Sequence, residues 1–141
     1  MSNRNIYPVI IVLAFFIGCS NSTEVALTSL RNSTWQLDSF DSSGYTITVP
    51  ADQVYTLHFD SESSVSGQVH CNTYGTTCTF VAPDSIVFGP FATTKIACPS
   101  PSSATEFRLG FDQANALSTF GLQLRILYFN RTRALNFSRT R

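Results

Sequence analysis

Charge is what this sequence has least of. Only 13% of its 141 residues are Asp, Glu, Lys or Arg, and nine cations balance nine anions for a formal net charge of zero. Such a chain projects no long-range field toward a polyanion, which excludes nucleic acid as its main partner. Long apolar runs are scarce as well. Val9 to Ile17 is one, but nine residues at about 1.5 Å each fall far short of a hydrocarbon core of about 30 Å. Also missing are a Gly-x-Ser-x-Gly elbow, a phosphate-cradling glycine loop and a His-Glu-x-x-His pair. Cys71, Cys78 and Cys98, with His58 or His70, match no zinc-ligand spacing. The carboxylates are dispersed. His70 and Cys71, read as neighbours in one strand, point to opposite faces and make no nucleophile–base pair. The reading is therefore no enzyme, no catalytic residues, no metal and no cofactor.

What the chain does have is aromatic and β-branched sequence. Phe alone supplies 12 residues, set in a Ser/Thr-rich background typical of a β-rich globular domain. The length suits one domain with a core of its own, and no internal repeat is visible. Trp35, Leu37 and Ser39 share one face of a strand over Thr34 to Phe40, and Asp41 to Gly44 turns the chain. Tyr55, Leu57 and Phe59 alternate with Val54, Thr56 and His58. Val65, Gly67, Val69 and Cys71 alternate with Ser64, Ser66, Gln68 and His70, a strand that carries Cys71 inward. Shorter strands are predicted at Cys78 to Ala82 and Ser85 to Phe88, and an extended segment at Thr93 to Cys98, before Pro99. The period then changes. Phe107, Phe111, Ala114 and Leu117 form a helical stripe over residues 104–118, with Ser103 and Glu106 placed as a capping box. Leu122 to Tyr128 and Ala134 to Ser138 follow as a hairpin. The fold class expected is α+β: a single domain with a curved antiparallel sheet, partly barrel-like, and one packed helix.

The sequence end is rich in Arg125, Arg131, Arg133, Arg139 and Arg141 with no acid among them. This is either a solvated hairpin blunted by charge or a patch for anionic lipid or polysaccharide. At the other end, Arg4 and the Val9–Ile17 run read as a targeting segment over residues 1–18. It closes on Gly18-Cys19, which resembles the bacterial lipobox. That resemblance implies diacylation of Cys19, with palmitate-type chains, at a new N-terminus, and residues 19–26 as a polar linker. Ser20 behind the cysteine resembles lipoproteins sent to the outer membrane. Three cysteines then remain for the domain, hence one pair and one thiol. Closing the 71–98 loop is worth about 3.5 kcal/mol and the 71–78 loop about 2.5 kcal/mol, a margin that strain reverses easily.

Three segments together resemble the META domain family of HslJ-like heat-shock lipoproteins. They are His70-Cys71-Asn72-Thr73-Tyr74, Thr94-Lys95-Ile96-Ala97-Cys98-Pro99 and Thr34-Trp35-Gln36-Leu37. The family's markers are Gly-Cys-Asn-x-Tyr, Thr-x-Met-Ala-Cys-Pro and Thr-Trp-x-Leu. The resemblance assigns residues 27–141 to the domain. It implies a Cys71–Cys98 disulfide, because both match the family's cysteine positions, and leaves Cys78 where an aromatic residue is common. His70 replaces the usual Gly. It further implies a non-enzymatic lipoprotein of the bacterial cell envelope, outer membrane facing periplasm, with a monomeric domain. Its partners are then the membrane, through the lipid, and an unidentified envelope protein bound or stabilised under stress. A small ligand held in a cavity between sheet and helix is the alternative. Asn72 and Tyr74 are read on a turn beside the disulfide, Asn72 in a left-handed or Asx-turn conformation and Tyr74 over the sulfurs. Otherwise they join Thr94 and Lys95 as an interaction rim.

Overall fold

Side-chain alternation builds most of the strands. Tyr55, Leu57 and Phe59 are buried, Thr56 and His58 half-buried and Val54 exposed, the pattern of a sheet with one wet face. The structure is a computed structural model and describes residues 29–99 and 102–140. The targeting segment, Cys19 and the linker lie outside the described residues.

The strands run β1 (Thr34–Ser42), β2 (Tyr45–Thr48), β3 (Thr56–Phe59), β4 (Ser64–Val69), β5 (Asn72–Ala82), β6 (Ser85–Phe88) and β7 (Ala92–Thr93). Helix α1 (Ala104–Asp112) follows, then β8 (Ala114–Phe120), β9 (Gln123–Tyr128) and β10 (Arg133–Arg139). The sheet order is β6-β5-β4-β3-β1-β10-β9-β8, with β2 on β1 and β7 on β5. Every pairing is antiparallel. The two ends of this path meet. The Leu117 N–H donates to Asp84 O at 2.9 Å, and Ser85 Oγ donates to Asn115 O at 3.2 Å. The sheet is thus nearly closed into a barrel, and α1 packs against its inward-facing side chains. The architecture is sheet-dominated, and α+β describes it only loosely.

Three expectations are corrected. The helix stops at Asp112, and Ala114 to Phe120 is a strand. Ala116 and Leu117 are buried there because β8 pairs with β9, not because a helical stripe continues. The capping box is not formed. Ser103 makes no side-chain cap; the Ala104 N–H donates to Ser102 Oγ at 3.1 Å, and Glu106 accepts from the Tyr128 hydroxyl. In β1 a bulge between Leu37 and Ser39 shifts the register, so Phe40 rather than Ser39 follows Trp35 and Leu37 inward. Of the two readings of the arginine-rich end, the pairing of the described arginines favours the solvated hairpin over a concentrated patch. Arg125 pairs with Asp41 at 2.9 Å, Arg131 with Asp84 at 2.8 Å and Arg133 with Glu106 at 3.3 Å. Sequence neighbours are neutralised by acids brought from other elements. At Asp41, burial opposes ionisation, but hydrogen bonds from Thr46 and Asn136 and the Arg125 charge outweigh it and hold the carboxyl below its usual range.

The core is aromatic. Phe107 and Phe111 of α1 are fully buried and lie 4.9 Å apart, centroid to centroid. Phe107 meets Tyr55 at 5.2 Å, and Phe111 meets Phe88 at 4.5 Å. Gly110 lies between them in sequence because nothing larger fits. A Cβ there would stand 2.6 Å from Leu135 Cδ1 and 2.8 Å from its Cγ, and Leu135 is itself fully buried.

Two outcomes follow for stability. Phe111→Ala should cost about 3–5 kcal/mol. Gly110→Ala should destabilise by about 1–3 kcal/mol through overpacking, despite a helix-propensity gain of about 1 kcal/mol. Denaturant titration of both variants checks this, and a stabilised Gly110→Ala chain would place α1 away from Leu135.

Candidate functional site

β4 and β5 form a hairpin with Val69 opposite Asn72, so His70 and Cys71 are its two turn residues. His70 carries the turn with φ +58. A positive φ favours glycine, the residue expected at this position from the resemblance. The turn also breaks the alternation. His70 is buried, with Nε2 2.8 Å from Pro99 O, and Cys71 is half-exposed. His70 therefore faces opposite to the expected direction, and Cys71 is only partly inward.

Cys71 and Cys98 form a disulfide with Cα atoms 5.6 Å apart. Beside it, the Asn72 carboxamide acts as a piece of backbone. Its Nδ2 donates to Ile96 O at 3.0 Å, and its Oδ1 accepts the Ile96 N–H at 2.7 Å. These are the two bonds that a paired strand residue would make. Thr94 Oγ1 donates to Asn72 Oδ1 at 2.8 Å, and the Thr94 N–H donates to Thr73 O at 3.1 Å. Asn72 is not among the residues with positive φ; it opens β5 and clips the loop that runs from β7 toward α1. Residues 94–97 are exposed along this loop, Ile96 at 62%.

Tyr74 does not belong to this rim. It is buried, stacked on Phe91 at 4.5 Å and 14°, and edge-on to Phe107 and Phe111 at 5.6 Å each. Its hydroxyl donates to Thr56 O at 2.8 Å, across Gly67. A Cβ at Gly67 would stand 2.1 Å from that same carbonyl oxygen and 2.9 Å from the Tyr74 ring. Burial, and then the Asp60 charge, push the Tyr74 hydroxyl pKa well up, so the group stays a donor. Of the four rim residues, the structure brings Asn72, Thr94 and Lys95 to one edge and takes Tyr74 into the core. Sequence alternation after Asn72 signals this, since Tyr74, Thr76 and Cys78 are all inward.

Cys78 is a buried free thiol, and burial, reinforced by Asp60, pushes its pKa to about 11. At neutral pH it is protonated and not nucleophilic. A shallow depression of about 210 Å³ adjoins the clip, lined by Val69, Asn72, Phe91, Thr93, Ala104 and Arg108 among others. Between sheet and helix themselves, the aromatic rings are in contact.

Cys78 generates a pH expectation. Its thiol pKa is raised on folding, so its stabilising contribution is full below about pH 9 and declines as pH rises toward about 11. Cys78→Ala should flatten stability across that window, read by thermal melts at stepped pH. In the parent chain, alkylation of Cys78 should require unfolding, and non-reducing peptide maps should show only the 71–98 linkage.

Residues 28–141 match the META domain. A solved structure described as an NMR structure of the protein from Burkholderia xenovorans aligns with a TM-score of 0.67 and 19% identity, covering 99% of this chain and 95% of that one. The crystal structure of a DUF4847 family protein from Bacteroides vulgatus aligns with a TM-score of 0.62 and 14% identity, covering 80% and 96%. At these identities the likeness concerns the fold alone. Comparison with curated proteins gave no match.

Proposed function

Since this chain belongs to the META domain family over residues 28–141, we propose that it is an HslJ-like, non-enzymatic lipoprotein of the bacterial cell envelope. In this reading Cys19 carries the lipid, and the domain binds or stabilises another envelope component under stress. The observation that carries it is the clip. A disulfide, the Asn72 carboxamide and Thr94 fix an exposed loop in one conformation, with Lys95 and Ile96 turned to solvent. Fixing a loop before binding removes an ordering cost of about 0.5–1.5 kcal/mol per immobilised side chain. The polar groups of the clip are spent on one another, which suits a scaffold better than a reacting site.

The small-ligand reading has one observation in its favour, the depression between β7 and the start of α1. Its volume of about 210 Å³ is below the ~300–1,000 Å³ of ordinary ligand sites. Against a ligand held between sheet and helix, the protein-partner reading is therefore preferred; the larger open depression of about 460 Å³, beside Asp41 and Arg125, has no helix residue in its lining.

Photocrosslinkers placed at Lys95 in intact envelopes test the loop. One discrete product is expected from position 95 and none from position 45, and Asn72→Ala, which frees the loop, should abolish it. Equal crosslinking from both positions would remove the rim from the reading. For the anchor, Cys19→Ala should release the domain into the soluble fraction or leave an unprocessed precursor. Normal maturation with unchanged membrane association would overturn the lipid on Cys19.

A further inference from the structure

The β8–β9 hairpin ends in two exposed apolar residues, one of them the most exposed large apolar residue among the described residues. Phe120 is 87% exposed and Leu122 is 66% exposed, and every residue from 118 to 123 is exposed. The hairpin tip thus projects past the core with a Phe-Gly-Leu end. Its position is fixed by backbone bonds. The Arg139 N–H donates to Leu122 O at 2.9 Å, and the Thr140 N–H donates to Thr34 O at 2.9 Å. Trp35 pairs with Arg139 in the sheet. The tip therefore stands at the end of the barrel where β1 begins and where the chain arrives from residue 29. The β1–β2 hairpin, with Tyr45, stands at the other end of β1.

Two apolar side chains held in the open on a tight turn fit a surface that receives them without a shaped pocket, and a bilayer interface is such a surface. The chemistry beside the tip agrees. Arg139 lies over the Trp35 ring at 5.8 Å and, among the described residues, makes no ion pair with an acid. A cation flanking exposed Phe and Leu matches a lipid headgroup layer of negative charge. Reach agrees too. Ten residue steps separate Cys19 from Ser29, at most about 35 Å of chain at ~3.3–3.6 Å per residue. That length keeps the barrel end that carries the tip within reach of a bilayer holding a lipid on Cys19.

We propose that Phe120 and Leu122 insert into the interfacial layer of an anionic membrane, giving the domain a second contact and a fixed orientation on it. The orientation rests on the lipid-anchor reading above; the insertion itself does not require it. Phe120 and Leu122 lie outside the core, so substitutions there leave packing intact.

The test uses the full chain, processed in the cell, purified and reconstituted into phosphatidylethanolamine–phosphatidylglycerol vesicles that contain lipid brominated on the upper acyl chain. Phe120→Trp is compared with Tyr45→Trp, with Trp35 as the common buried background, and cosedimentation is measured on the same samples. Insertion predicts at least a twofold loss of the added tryptophan's emission at position 120 and none at position 45. Protein that cosediments with neither position quenched keeps the anchor and overturns the tip. Protein that fails to cosediment overturns both. As a second variant, Phe120→Ser/Leu122→Ser in the Cys19→Ser chain should lower vesicle partitioning about tenfold relative to Cys19→Ser alone; equal partitioning would also overturn the tip.

Discussion

The structure turns on a tyrosine laid across a glycine. Tyr74 sits opposite Gly67 in the β4–β5 pair and reaches over it to bond Thr56 O, linking three consecutive strands of the sheet. A side chain at position 67 would collide with that carbonyl, so the glycine is what lets β3 and β4 approach under the ring. Covering a strand glycine with an aromatic ring restores packing and bends the sheet. The other face of the arrangement belongs to α1, for Phe107 and Phe111 meet the same ring edge-on and Phe91 stacks upon it. Curvature of the sheet and docking of the helix are thus one packing problem, solved at one residue.

The clip is an extension of this arrangement. Asn72 lies two residues before Tyr74, hence on the same side of β5, but at its edge. β7 contributes two residues of pairing, Thr93 to Tyr74 and Ala92 to Gly75, too short to hold a loop alone. Beyond Thr93 the Asn72 carboxamide replaces the missing ladder, and the disulfide covers its last turn. Both clip and ring therefore begin from a hairpin whose first turn residue needs a positive φ, a strained demand on a non-glycine residue. At His70 the Nε2–Pro99 contact partly offsets that strain, tying the turn to the far end of the same loop.

Much of this was legible in the residues, and the failures have definite causes. Alternation located β1, β3, β4, β6, β9 and β10, and the placing of Phe107 and Phe111 in the core survives. Alternation assumes an unbroken strand. The bulge at Leu37/Ser39 and the turn at His70 each insert an irregularity, after which every inward position is displaced. The overlong helix has a different origin. Ala114 and Leu117 continue the spacing of Phe107 and Phe111, and buried residues on a strand that follows a helix mimic a helical stripe. Only pairing with β9, a non-local fact, separates the two. β2 escaped because Tyr45 to Thr48 is exposed on both faces and carries no burial pattern. The neutralised arginines escaped because Asp41, Asp84 and Glu106 are remote in sequence.

The antiparallel order also separates the two candidate surfaces. β1 starts beside Leu122 and Arg139 and ends at the β1–β2 hairpin, and β4, running antiparallel to β3, ends on the same side as that hairpin. The His70–Cys71 turn and the clip are therefore at the barrel end away from Phe120 and Leu122. A domain held to a membrane at the first end presents Lys95 and Ile96 at the second, directed away from the lipid. Near-closure of the sheet makes that separation rigid, because the barrel wall between the ends is a continuous ladder and not a linker. Orientation at one surface is then transmitted to the other without any conformational change, through the length of the strands alone.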